Sequence, residues 1–153
     1  MKKSKYFLIL IMFSILSIAG FAQPKVLALR LSKSAAVSIS HLKAEAFTLG
    51  KNGVLRPGKG YVITESEAGF AFWNKKKKPP KDPKPDKEQP VTTIHCNGAC
   101  DPCGIIETPG NGGETIVTCG TCDGCGMYAR VPPGKDILQK LTPDGWRDIP
   151  PER

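Results

Sequence analysis

The chain has 153 residues, six cysteines and a formal net charge of +8 at pH 7. That length supports one modest domain or two very small ones. It holds two histidines, His41 and His95, and lacks a Walker-type phosphate loop, a dinucleotide fingerprint and an HExxH pair, which removes the activities those motifs carry.

The N-terminus opens with the basic "MKKSK", followed by an uncharged apolar run over residues 6–22. Gly20 and Ala22 stand as small residues at positions −3 and −1 of a cut before Gln23. A basic start, an apolar core and a small-residue exit describe a secretory signal peptide over 1–22, so a secreted or periplasmic protein is expected. Left uncleaved, this run reaches the lower edge of a membrane span and would be the only membrane contact. No cysteine directly follows the apolar core, which argues against lipid anchoring there.

Residues 23–74 read as a small β-rich module. "KVLALRLS" sets Leu27, Leu29 and Leu31 against Val26, Ala28 and Arg30 with a period of two. "SAAVSISHLKAEAF" is ambiguous. Val37 and Ile39 alternate with serines as in a strand, whereas Ser34 followed by Ala, Leu, Lys and Glu suits a helix. From Ala46 onward, short apolar runs separated by "GKNG" and "PGKG" predict an antiparallel meander. Its aromatic bulk comes from Tyr61, Phe70, Phe72 and Trp73, expected in the core. His41 is expected to be an ordinary strand or loop residue, because nothing in its spacing assembles a nucleophile, a base and an orienting group.

Residues 75–90 form a Lys/Pro-rich linker, with seven lysines against three acidic residues. Such a stretch buries too little apolar surface to order itself, so a disordered, extended spacer is expected. Lys75, Lys76, Lys77 and Lys78 offer weak contact with anionic surfaces. Nucleic acid is not expected as a partner, since no aromatic residues interleave with the lysines.

Residues 91–130 hold all six cysteines. Cys96, Cys100 and Cys103 parallel Cys119, Cys122 and Cys125, and both halves end in C-D-x-C-G. Between them, Ile105, Ile106, Ile116 and Val117 flank "PGNGG", which predicts a β-hairpin with its tip near Asn111. Pairing symmetric about Asn111 places Cys103 opposite Cys119 and Cys100 opposite Cys122, with Cys96 within one residue of facing Cys125. Six sulfurs then gather at the hairpin base.

Three chemistries use that gathering. Export, an even cysteine count and a tiny apolar core favour disulfides among Cys96, Cys100, Cys103, Cys119, Cys122 and Cys125. The alternative is zinc on Cys100, Cys103, Cys119 and Cys122, or on Cys100, Cys103, Cys122 and Cys125. Each C-x-x-C-G turn resembles a zinc-ribbon knuckle, a resemblance that covers about thirty residues and implies an architecture without a partner; His95 is a further ligand candidate. A third option is thiol–disulfide exchange, disfavoured because Asp101 and Asp123 would raise the thiol pKa. The spacing of Cys96, Cys100 and Cys103 also matches the cluster motif of radical-SAM enzymes, but the chain is too short for their barrel.

Residues 131–153 form a tail with a short amphipathic helix expected over 136–141. The reading is therefore a small mainly-β protein: a β-rich front module and a cysteine-rich hairpin module joined by a disordered linker. Its expected function is non-enzymatic binding or structural support, with no catalytic residue, with either zinc or no cofactor at all, and with an unknown protein or cell-surface partner.

Overall fold

A computed structural model describes residues 25–77, 92–98, 103–122 and 124–150. The signal peptide expected over 1–22, Lys78 with most of the expected linker, and Cys100 with its pairing lie outside these residues.

The order of elements is β1 (Ala28–Leu31), α1 (Lys33–Ile39), β2 (Leu42–Ala44), β3 (Phe47–Leu49), β4 (Val54–Pro57), β5 (Tyr61–Ser66) and β6 (Gly69–Asn74). Then follow β7 (Thr93–Asn97), β8 (Ile105–Pro109), β9 (Thr115–Cys119), β10 (Gly126–Val131), β11 (Ile137–Thr142) and β12 (Gly145–Asp148). The protein is mainly β, as the sequence pattern requires. An eight-stranded sheet runs β12-β11-β1-β4-β3-β2-β9-β8, and a four-stranded sheet runs β5-β6-β10-β7.

The ambiguous serine-rich stretch is helical. Ser32 caps α1, its Oγ accepting from the Ala35 amide at 3.2 Å. Ala35 and Ile39 are buried while Val37 faces solvent, so four-residue spacing prevails over the two-residue alternation. The expected helix over 136–141 is corrected: Ile137–Thr142 is a strand paired to both β1 and β12. A tight turn with Gly145 at φ 116° folds β12 back on β11, and the pairing available along β1 outweighs local helix preference.

The segments read from the sequence contribute strands to common sheets. The front strands β1, β2 and β6 pair with β11, β9 and β10 of the later segments. This interleaving has a physical reason, because neither segment alone is large enough to bury an adequate core. Leu29, Leu55, Phe47 and Val117 of one sheet meet Phe72, Met127, Ala129 and Val131 of the other in one buried cluster. Phe47 and Phe72 meet edge-on with centroids 6.3 Å apart. Tyr61, Phe70 and Phe72 are core residues, as expected. Trp73 alternates to the outer face, in register with Tyr128.

Two seams join the sheets. At one, Val26 just before β1 forms an isolated bridge to Ile63 of β5. At the other, among the described residues no backbone ladder joins β9 to β7, and the Cys96–Cys119 disulfide spans the gap. The Glu65 carboxylate accepts from Lys140 Nζ at 2.6 and 2.7 Å, a further tie between the sheets.

Candidate functional site

The hairpin forms as expected, but its register differs. Ile105 pairs with Cys119, Glu107 with Val117 and Pro109 with Thr115, which centres the turn on Gly112 in place of Asn111. Gly110 donates to the Glu114 carbonyl at 2.8 Å, and Gly113 takes φ 82°, a conformation that favours glycine. Cys103 therefore lies two positions beyond the partner of Cys119.

The sulfurs pair across strands. Cys96 of β7 is bonded to Cys119 of β9 with Cα atoms 5.6 Å apart, and Cys103 is bonded to Cys125 with Cα atoms 5.4 Å apart. Cys122 is also disulfide-bonded. Neither of the two defined bridges closes a C-x-x-C on itself. Each joins positions 22 or 23 apart, which is the pattern of staples and not of a motif that cycles within one turn. An oxidised sulfur lacks thiolate charge, so neither four-cysteine set fits zinc while these bridges are closed. Among the described residues, no group of three or more His, Cys, Asp or Glu is placed to hold a metal ion. His95 instead stacks on Tyr128 at 4.9 Å between centroids, and burial followed by the nearby Arg130 charge holds its pKa below the usual imidazole value.

The staples back a groove of about 1340 Å³. One wall is α1, through Lys33, Ala36 and Val37; the opposite wall is β9, ending at Cys119 and Gly120, with Cys125 beside it. The strands between supply Leu31, Phe47 and Leu49, the β3–β4 turn supplies Lys51, and β11 supplies Leu138. The turn abuts the helix closely: a β-carbon added at Gly53 would lie 3.4 Å from that of Ala36. Val37 and Leu138 are large apolar side chains left 64% and 46% exposed, so apolar surface continues out of the groove to its mouth.

Its charge is one-sided. Arg30, Lys33, Lys43 and Lys51 line it, against Glu45 as the lining carboxylate. Arg30 donates to Gln139 Oε1 at 2.7 Å and lies over the Trp146 ring. Lys43 is paired with Glu114, and that hydrogen bond is the main reason the Glu114 carboxyl titrates below its ordinary range. Glu45 accepts from the Tyr61 hydroxyl at 2.7 Å, and burial, followed by that bond, pushes the phenol above its ordinary value. Among the described residues, the side chains of Lys33 and Lys51 have no hydrogen-bonded or ionic partner.

Sequence reasoning found the sulfurs and missed the groove. Its lining comes from five strands, a helix and a turn whose residues share no motif, and the available hint was the excess of lysine and arginine over residues 23–74. The chain matches no family model, and no curated protein or solved structure is similar to it.

Proposed function

We propose that this is an exported binding protein of non-enzymatic type, whose disulfides stiffen the wall of a ligand groove. The observation that carries the reading is the joining of three features in one place. These are a concave apolar surface of about 1340 Å³, cations around it, and two bridged cysteines, Cys119 and Cys125, in its lining. Binding sites are commonly concave and mostly apolar, with a few placed polar groups. The bridges fit an oxidising compartment. Among the described residues no helix is long and apolar enough to cross a membrane. Export rests on the signal-like pattern of residues 1–22, and N-terminal sequencing of secreted material should begin at Gln23.

The groove is tested with the neutral apolar dye Nile red and the oxidised chain. Enhanced dye fluorescence is expected, with most of it lost in Val37→Asp and Leu138→Asp. Both side chains are exposed, so these variants leave the core intact. Fluorescence unaffected by either substitution would place the dye elsewhere and overturn the reading.

A further inference from the structure

We infer that the groove receives an extended, acidic segment of a partner protein in which carboxylate and apolar side chains alternate. This rests on the groove being the binding surface and adds the chemistry of its occupant.

Charge selects the sign. The side chains of Lys33 and Lys51 stand without partners among the described residues, whereas Arg30 and Lys43 are already held by Gln139 and Glu114. Two cations left unpaired beside an apolar surface attract carboxylates and repel a basic ligand. The chain's own linker, with seven lysines against three acids, is thereby a poor occupant.

Distribution of charge selects the shape. The two unpaired cations sit on different elements, Lys33 on α1 and Lys51 on the β3–β4 turn. A single-headed amphiphile has one charge to place and would leave one of these two unmatched. From Leu138 on β11 to Cys119 on β9 the lining crosses five strand spacings, about 24 Å along the sheet. About seven extended residues cover that length at roughly 3.4 Å each. An extended chain points successive side chains to opposite sides, so apolar residues enter the groove while acidic ones reach the rim.

Aromatic content argues against polyanions of other classes. Phe47 is the aromatic residue in the lining, and it is 3% exposed. Single-stranded nucleic acid needs exposed rings on which bases stack, and this groove offers an aliphatic surface.

The test is fluorescence anisotropy with a labelled peptide alternating glutamate and valine, against the same peptide with lysine for glutamate, using the oxidised chain. The acidic peptide should bind and the basic one should not. Binding should weaken about tenfold in the Lys33→Glu/Lys51→Glu double variant, the scale of two reversed, partly exposed charge contacts. Nile red should remain bound in that variant, because its site is apolar. If dye binding keeps its sensitivity to Val37→Asp while the two peptides bind equally, or neither binds, the peptide proposal falls and the groove stands. Oleate displacing the dye when the acidic peptide does not has the same consequence. Dye insensitive to Val37→Asp removes both readings together.

Discussion

Replacing Cys96 and Cys119 together by alanine cuts the covalent tie across the seam between β7 and β9. The bridge joins positions 23 apart, and the chain-entropy relation assigns a loop of that size about 3.4 kcal/mol at 25 °C. The Cys103–Cys125 bridge shortens the path, because the unfolded chain can run from Cys96 to Cys103, across that bridge, and back to Cys119. The effective loop is then about 13 residues and the contribution about 2.9 kcal/mol. Either route gives about 3 kcal/mol, so the answer is insensitive to which bridge forms first. With a urea slope of about 1.5 kcal/mol per molar, the unfolding midpoint should fall by about 2 M. Trp73 lies on β6 of the four-stranded sheet and Trp146 on β12 of the eight-stranded one, so single-tryptophan variants report each sheet separately. Both reporters should shift. A loss below about 1 kcal/mol at both would refute the idea that this bridge closes the seam.

Three further outcomes follow from local geometry. Gly69 has φ 102°, and a β-carbon there would lie 2.3 Å from the Val131 carbonyl oxygen, so Gly69→Ala should destabilise by more than about 1 kcal/mol in urea unfolding. Ser32→Ala removes the cap of α1 and should cost about 1 kcal/mol by the same measurement. His95 titrates below its ordinary value of 6.5, so the folded state favours the neutral ring. Its contribution is present above the unfolded value and is lost as pH falls from about 6.5 through the folded pKa. His95→Gln should therefore flatten that part of the stability–pH curve, and an unchanged acid limb would contradict the assignment.

The strands were legible where one pattern dominated. "YVITES" and "GFAFWN" are short apolar-rich runs bounded by glycine-containing turns, and β5 and β6 follow from that. "ILQKLT" was less legible, because Ile137, Leu138 and Leu141 suit a helical face as well as a strand. Only the long-range partner β1, more than a hundred residues away in sequence, decides between them. The same limit governs the cysteines. Their gathering was readable from the repeat and the intervening hairpin. Their pairing depends on a two-residue register that the glycines of "PGNGG" leave open. The groove was out of reach for the same reason, since Lys33 and Lys51 become neighbours of one cavity only after β3, β4 and α1 pack.

The central claim, that oxidised sulfurs staple two shared sheets and so shape the groove, is tested most directly by mapping disulfide-linked peptides from the alkylated, unreduced protein. The account predicts peptides linking Cys96 to Cys119 and Cys103 to Cys125, with Cys122 recovered in a further disulfide-linked peptide and none of these five cysteines alkylated. Alkylated cysteines accompanied by stoichiometric zinc, or bridges closed within a C-x-x-C, would contradict it.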